Sequence, residues 1–305
     1  MIHSYNEWDP IREIIVGRAD YANWPSDDPV FSKESEKTTW KESPVPGGPV
    51  PNWIIDEANE DLDLLANVLE QCGAIVHRPR ALNYQERGGM YGYCPRDRLL
   101  VYGDTIVDPA MMYPCRDMEI EALDDIIYRA DTVHRMPRDE GMILDAANVL
   151  RLNESMLYLQ SASGNQQAYK WLKAKFPNVP IEVCEFYSGV HIDSTIVPVR
   201  EGLVVVNASR VNKDNLPQIF KNWEVIWVDE VVAQGFYQYP YASKWIALNM
   251  LVVDPTTIIV DKHQTELIKM LEEYNMLVLP LELRHSRTLG GGFHCVTLDI
   301  VRQTQ

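Results

Sequence analysis

Five short polar motifs recur along the chain at nearly equal intervals, and each directly precedes a run of apolar, strand-like residues. Their central residues are Asp97, Asp145, His191, Ser243 and Cys295. Successive motifs lie 46 to 52 residues apart. A period near 50 residues is typical of propellers and solenoids, in which equivalent points of successive repeats face a common axis. The spacing therefore predicts that these five side chains converge at one site.

The segments between the motifs repeat one order of elements: a strand, a turn, a second strand, an amphipathic helix and a third strand. The second repeat has predicted strands at 99–101, 105–108 and 132–134 and a predicted helix at 118–127, where apolar residues recur at helical spacing. The first repeat is divided between the chain ends, and the C-terminal run 296–301 is expected to pair back into it and close a ring. The alternative is an ordinary α+β domain with coincidental spacing.

Composition bounds the class of protein. The 305 residues are 46% apolar, and the repeat offers no natural cut, which predicts one domain over 1–305. The net charge of −16 argues against nucleic acid or an anionic membrane as a partner. No apolar run is long enough to span a membrane, and no secretion signal is expected. The odd number of cysteines, without a CxxC pair, favours the reducing cytoplasm.

The segment 21–53 breaks the repeat, since it is rich in proline and too long for a simple connection in a compact domain. One interpretation is a lid over the site or a loop that contacts a partner. The other interpretation is a solvated insertion.

Cys295 follows three glycines, 290–292, and is the candidate nucleophile. Glycines let the backbone approach a ligand closely, which predicts an exposed thiol in a pocket rather than a core cysteine. His191 and Asp193 stand two apart at a predicted strand start, so both should face one site. A Cys, His and Asp set also suits zinc. A second thiolate is missing, however, and His294 should point away from Cys295 in an extended backbone, so a metal is disfavoured.

The remaining motif residues suggest a cationic substrate. Asp97 and Asp193 would bring two carboxylates to one centre, and a planar guanidinium offers five N–H donors for them. Asp145 is the candidate to orient the imidazole of His191, as the third member of a nucleophile, base and acid set. Arg210 could hold a substrate carboxylate, or could be an ordinary surface arginine.

These motifs resemble the amidinotransferase family, within the guanidino-modifying penteins. The matching stretches are 290–295 around the cysteine, 191–195 around the histidine, 95–97, 243–245 and the N-terminal 4–10. The resemblance covers nearly the whole chain. Stretches 148–151 and 285–289 are more similar to bacterial natural-product members, such as the inosamine-phosphate enzymes, than to the animal glycine enzyme.

The resemblance implies an α/β fold, a five-bladed αβ propeller with pseudo-fivefold ββαβ repeats around a central active site, and no cofactor. It implies these roles: Cys295 as nucleophile, His191 as general acid/base, Asp145 as its partner, Asp97 and Asp193 for the guanidinium, and Arg210 and Ser243 for the amino-acid end of the donor. Two departures from the animal glycine enzyme, Ala242 and Asn148, put the acceptor in doubt.

The reaction implied is transfer of the amidino group of L-arginine to an amine acceptor through S-amidino-Cys295, with release of ornithine, in a specialised pathway. The expected partners are these two small molecules, and a homodimer is left open. One alternative is a hydrolase similar to arginine deiminase, which would use the same residues with water as acceptor. The other is a non-catalytic protein that binds guanidino compounds, against which Cys295, His191 and Asp145 together argue.

Overall fold

The computed structural model describes residues 1–38, 47–186, 191–233, 239 and 241–303, with the side chains of 34–38 excepted. The strands are, in chain order, β1 Ile11–Val16, β2 Asn23–Trp24, β3 Gly48–Pro49, β4 Ile75–His77, β5 Leu100–Tyr102, β6 Thr105–Asp108, β7 Thr132–Arg135, β8 Val149–Leu152, β9 Ser155–Leu159, β10 Ile181–Cys184, β11 Ile196–Arg200, β12 Leu203–Asn207, β13 Glu224–Val228, β14 Leu251–Asp254, β15 Thr257–Asp261, β16 Leu277–Leu281 and β17 Thr297–Arg302. The α-helices are α1 Pro29–Thr38, α2 Asn52–Gln71, α3 Tyr84–Arg87, α4 Pro95–Arg98, α5 Asp124–Ile127, α6 Gln166–Lys175, α7 Thr265–Glu273 and α8 Ser286–Leu289. The 3-10 helices are Pro114–Leu123, Ala146–Asn148, Gln218–Phe220 and Lys244–Leu248.

Five three-stranded sheets, called blades 1 to 5, contain all these strands except β2 and β3. Their strand orders are β17-β1-β4, β5-β6-β7, β8-β9-β10, β11-β12-β13 and β14-β15-β16. In each blade the middle strand pairs antiparallel with one neighbour and parallel with the other. A parallel pair needs a crossover connection, which the helical segments supply. The predicted five-bladed αβ propeller with ββαβ repeats is confirmed.

The two ends of the chain meet in blade 1. The C-terminal β17 pairs antiparallel with β1, with Ile14 opposite Asp299 and Ile15 opposite Leu298. The predicted return of the C-terminal run into the first repeat is therefore confirmed. This pairing occupies an edge of β1 that would otherwise carry unpaired N–H and C=O groups.

The first strand of each blade is more buried than the last, and this decides where the motifs lie. Every residue of β5 and β8 is buried, whereas the last strands β4, β7 and β16 are largely half-buried or exposed. The five motifs occupy the short turns and helices directly before β5, β8, β11, β14 and β17. They therefore lie on the inner side of the blades.

Two parts of the element prediction differ from the structure. The expected α-helix at 118–127 is instead a 3-10 helix, Pro114–Leu123, followed by the short α5. A 3-10 helix aligns residues three apart, and here it brings Arg116 and Glu119 into a buried ion pair of 2.9 Å. The repeat order also predicts an amphipathic helix and a third strand in blade 4, where the structure has the 3-10 helix Gln218–Phe220 and β13.

The described part of the proline-rich segment 21–53 forms elements of its own. Strand β2 pairs with β3, and α1 lies between them in the chain. Residues 39–46 of the segment lie outside the described ranges. Among the described residues, none of the helices is both long enough and apolar enough to cross a membrane.

Candidate active site

Cys295 lies in the turn between α8 and β17, and close packing explains the glycines before it. Gly290 has a φ of +76°, in the left-handed region, and the Tyr241 ring lies against it. A Cβ on Gly292 would come within 2.6 Å of the Asn249 Cβ. The Asn249 Oδ1 accepts a hydrogen bond of 2.8 Å from the Cys295 backbone N–H. The glycine run therefore holds the backbone of the nucleophile against Asn249.

The Cys295 thiol is buried, and the expectation of an exposed thiol is wrong. The residue is 2% exposed because aromatic side chains cover the glycine turn. Its Sγ donates a hydrogen bond of 3.2 Å to Asp193 Oδ2. Burial raises the pKa of the thiol, and the carboxylates of Asp193 and Asp97 raise it further. Without substrate, Cys295 is therefore a protonated thiol.

His191 is held between two carboxylates. Its Nε2 lies 3.0 Å from Asp145 Oδ2, and its Nδ1 lies 3.5 Å from Asp97 Oδ1. Burial opposes the charged imidazolium, but Asp97, Asp145 and Asp193 outweigh it and raise the pKa of His191 to about 9. The other Asp145 oxygen, Oδ1, accepts a hydrogen bond of 2.8 Å from the Met112 backbone N–H. Asp145 is thus fixed by the backbone of blade 2 while it orients the imidazolium.

Asp97 lies in α4 and presents one oxygen to the site. Its Oδ2 accepts a hydrogen bond of 2.9 Å from Arg116 Nη1. Its Oδ1 is buried and, among the described residues, accepts no hydrogen bond. Leaving a buried carboxylate oxygen unsatisfied is costly, so it is expected to meet a donor when substrate is bound.

The distances show how closely the motifs converge. A carboxylate oxygen of Asp97, a ring nitrogen of His191 and the Sγ of Cys295 lie within 4.8 Å of one another. These are also zinc-ligand types. A ligating imidazole must be neutral, however, and the carboxylates around His191 favour its charged form. The arrangement suits acid–base chemistry at the thiol better than metal binding.

Asp193 contacts the nucleophile by a different route from the one the sequence suggests. Residues 191–195 form a turn rather than a strand start, closed by a 2.7 Å hydrogen bond from Thr195 N–H to the Ile192 carbonyl. Both His191 and Asp193 nevertheless face the site. The expectation that His294 points away from Cys295 is wrong, because 293–296 is a turn and not an extended chain.

The two residues assigned to the amino-acid end of the donor lie at the borders of blades 4 and 5. Arg210 Nη1 donates a hydrogen bond of 2.8 Å to Thr195 Oγ1, two residues after Asp193. Ser243 precedes the 3-10 helix Lys244–Leu248 and is half-buried. In the described part of the chain, its hydroxyl is hydrogen bonded to none of the other motif residues.

Three residues at the site escaped the motif analysis. Asn249 donates from Nδ2 to the Asp193 carbonyl at 3.3 Å as well as accepting from Cys295. Arg116 holds Asp97, and His294 holds Asp193. Arg116 and Asn249 stand outside the motifs and their regular spacing. His294 lies inside the nucleophile motif, and only the assumed extended backbone excluded it.

Part of the segment 21–53 packs beside the site. Phe31, which is 2% exposed, stacks on Tyr241 at 5.9 Å between ring centroids and meets Tyr113 edge-on at 5.5 Å. The hydroxyl groups of Tyr113 and Tyr241 are hydrogen bonded at 3.0 Å. Since Tyr241 also lies against Gly290, these three rings form a cover next to the nucleophile turn. Phe31, Tyr113 and Tyr241 are called the aromatic cover below.

The comparisons with known proteins agree with this geometry. No family model matches the chain. The inosamine-phosphate amidinotransferase 1 of Streptomyces glaucescens is 39% identical in an alignment of 337 positions that covers 99% of this chain and 97% of that protein. A solved inosamine-phosphate amidinotransferase from Streptomyces griseus has a TM-score of 0.90 at 36% identity, covering 100% of this chain and 98% of that one. The mitochondrial glycine amidinotransferase of Xenopus tropicalis is 28% identical over 354 residues, covering 98% of this chain and 82% of that protein.

A five-bladed αβ propeller with a cysteine, a histidine and carboxylates at its centre has the fold and site of a guanidino-modifying pentein. With a full-length relative 39% identical, the chain belongs to the amidinotransferase family, and it is a transferase. The expected greater similarity to the bacterial inosamine-phosphate enzymes than to the animal glycine enzyme is confirmed.

Proposed function

We propose that this amidinotransferase takes the amidino group from L-arginine, holds it on Cys295 as a covalent S-amidino group, and passes it to an amine acceptor. The observation that carries the proposal is the position of a carboxylate, a charged imidazole and a thiol within 4.8 Å of one another. A nucleophile, an acid/base and an anionic cradle at that separation fit attack on a guanidinium carbon.

The guanidinium of arginine is proposed to lie between Asp97 and Asp193. The unsatisfied Asp97 Oδ1 supplies an acceptor there. The same carboxylates hold Cys295 as a thiol in the free enzyme, since their charge raises the pKa of the thiol. A bound guanidinium offsets that charge, and it therefore favours thiolate formation only when the substrate is in place.

The reaction then proceeds as a double displacement. As the guanidinium binds, the Cys295 thiol gives its proton to solvent. The thiolate forms a bond to the guanidinium carbon, and the bond from that carbon to the ornithine nitrogen breaks while the His191 imidazolium gives that nitrogen a proton. Ornithine leaves and the amidino group remains on sulfur. The acceptor amine then attacks the same carbon and His191 takes its proton. The carbon–sulfur bond breaks to release the Cys295 thiolate, which regains a proton from solvent when the product leaves. The raised pKa of His191, about 9, keeps the proton available for the first step at neutral pH.

The amino-acid end of arginine is proposed to bind Arg210 and Ser243. The support is that Arg210 donates a 2.8 Å hydrogen bond to Thr195, which lies two residues after Asp193 in the chain. A planar guanidinium can bind the substrate carboxylate through two hydrogen bonds. The Ser243 hydroxyl, which does not cap the helix that follows it, is free to serve the same end.

An amino-cyclitol is the acceptor that the similarity favours, with a diamine amino acid such as lysine as the second candidate. The support is the 39% identity to an inosamine-phosphate enzyme against 28% to a glycine enzyme. Asn148 is one of the two residues that differ from the animal glycine enzyme. It is fully buried and donates hydrogen bonds to Ser161 and Ser163. We therefore expect it to affect acceptor binding only through the turn that it shares with Asp145. The sequence also has a small, uncharged stretch directly before His191, residues 188–190, which would suit a larger acceptor than glycine. This stretch lies outside the described residues.

We also propose that 1–305 acts as one domain in the cytoplasm. The pairing of β17 with β1 joins the two ends of the chain in one sheet. All five cysteines are unpaired, as expected in a reducing compartment. A homodimer stays a prediction.

The test is product analysis with guanidino-labelled arginine and equal concentrations of an amino-cyclitol phosphate, lysine and glycine. We expect ornithine and one labelled guanidino product, with the amino-cyclitol giving the highest kcat/KM. Citrulline and ammonia without ornithine would establish the hydrolase. Glycine as the preferred acceptor would contradict the acceptor proposal alone. No turnover with any acceptor or with water would favour the third alternative, a non-catalytic protein that binds guanidino compounds.

A further inference from the structure

The buried histidine directly before the nucleophile makes two short contacts that the reaction scheme above does not use. His294 Nδ1 lies 2.8 Å from Asp193 Oδ2, the same oxygen that accepts the Cys295 thiol. Its Nε2 lies 3.2 Å from Glu7 Oε2. Each ring nitrogen of His294 therefore faces a carboxylate, on opposite sides of the ring.

The two carboxylates determine how this ring is held. Although burial opposes it, contacts with His294 lower the pKa of Asp193, and Arg151 and His294 lower that of Glu7. Each ring nitrogen of His294 faces a carboxylate oxygen at hydrogen-bond distance. The ring is therefore placed to link the Asp193 carboxylate to Glu7.

Ion pairs beyond Glu7 anchor this ring to the centre of the propeller. Arg151 binds Glu7 through Nε at 2.9 Å and also binds Asp299 at 2.9 Å. Arg96 in turn binds Asp299 at 2.6 Å. The charged and titratable groups that surround His294 from the packed elements are Glu7, Arg96, Arg151, Asp193, Cys295 and Asp299. All are buried, so solvent screens these charges weakly.

We infer that His294 is a positioning residue for amidino transfer: a buried imidazole that fixes the Asp193 carboxylate against the Cys295 thiol. The inference rests on the proposed function, since it assumes that Asp193 lies between the nucleophile and the guanidinium. It adds a second histidine to the site, with a role distinct from that of His191. His191 exchanges protons with the reacting amines, whereas His294 acts only through Asp193.

Two variants separate the contacts of this ring. In His294→Asn the amide nitrogen takes the place of Nδ1 and can still donate to Asp193. In His294→Gln the amide nitrogen takes the place of Nε2, keeps the contact with Glu7 and loses the one with Asp193. Both remove the imidazole ring. His263→Gln is the matched control, since His263 pairs with Glu282 at 2.9 Å on the partly exposed face of blade 5.

The first measurement is the pH dependence of Cys295 alkylation by iodoacetamide in the free enzyme, followed by mass spectrometry of the Cys295 peptide. Loss of the imidazole leaves more negative charge on the Asp193 oxygen that accepts the thiol. The midpoint should therefore rise in both His294 variants, by about one pH unit in His294→Gln. The second is kcat/KM for arginine, which should fall about 10²-fold in His294→Gln because Asp193 is misplaced, and less in His294→Asn. His263→Gln should behave as the wild type in both.

Unchanged alkylation midpoints in both variants, or equal kcat/KM in His294→Gln and His294→Asn, would overturn the inference. Alkylation does not require the transfer reaction. If wild-type enzyme forms no amidino adduct with arginine, the proposed function fails, whatever the alkylation midpoints of the variants.

Discussion

Arg116 and Asp97 form a buried ion pair of 2.9 Å, and this pair leaves the second carboxylate oxygen of Asp97 without a hydrogen bond among the described residues. Arg116 also binds both oxygens of Glu119, at 2.9 and 3.1 Å. One guanidinium thus fixes two acids, and the fork of Arg116 determines which Asp97 oxygen faces the site.

Arg116→Lys should lower kcat/KM for arginine by about 10²-fold, mainly through KM. A single ammonium cannot reproduce the fork that holds both acids, so Asp97 is misplaced. Arg138→Lys is the control, because Arg138 also joins two acids in blade 2, Asp108 and Asp117. Steady-state kinetics with arginine would check this, and equal kinetics in the two variants would show that Arg116 has no part in substrate binding.

Asp145→Asn should retain arginine binding and slow the first half-reaction by about 10²–10⁴-fold, the scale for loss of general acid–base assistance. The amide cannot stabilise the His191 imidazolium, and it can present the wrong group to Nε2. Rapid-quench measurement of ornithine release separates this rate from binding. Asp108→Asn removes another buried carboxylate and should leave the rate unchanged. Near-normal release in Asp145→Asn would remove Asp145 from the catalytic set.

The charged His191 should also stabilise the fold in a pH-dependent way. Its pKa is raised from 6.5 to about 9, so the folded state holds the proton more tightly than the unfolded chain does. This stabilisation is fully present below pH 6.5 and is lost as the pH rises through about 9. Thermal unfolding of the wild type and of His191→Asn should therefore differ most below pH 6.5 and converge above about pH 9. A constant difference across that range would contradict the assigned charge.

Phe31→Leu should increase the leak of the amidino group to water. The aromatic cover lies next to the nucleophile turn, and loss of the Phe31 ring opens a path for solvent to the S-amidino group. Hydrolysis of that group gives urea and free Cys295. Urea release without acceptor should rise several-fold over the wild type, while Phe176→Leu, which removes a ring in blade 3, should not change it. Equal urea release from both variants would mean that segment 21–53 is a simple insertion.

The fold was predictable because its signal repeats. Each blade contributes a motif, a hairpin and a return strand, and errors in one copy are corrected by the others. The error at 118–127 has a local cause, since the side chains of Arg116 and Glu119 favour a 3-10 helix and no apolar pattern records that. Blade 4 was only partly predictable because its connection carries little helix.

The site was predictable as far as its residues lie in motifs. Asp97, Asp145, His191 and Cys295 converge because equivalent turns face one axis. The burial of Cys295 was not predictable, since the hydrophobic cluster that contains it is built from residues of distant segments. The position of His294 was missed because the sequence analysis assumed an extended backbone there. The chain forms a turn instead, and a turn changes the side of the backbone on which a side chain lies.

The central claim is that Cys295 carries the amidino group between two half-reactions. The direct test is mass spectrometry of the intact protein and its peptides after brief exposure to guanidino-labelled arginine without acceptor. We predict one amidino group on the Cys295 peptide, release of an equal amount of ornithine, and the same adduct in Cys184→Ala, which lacks another buried cysteine. Ornithine release without any adduct, or an adduct on a different cysteine, would contradict the account.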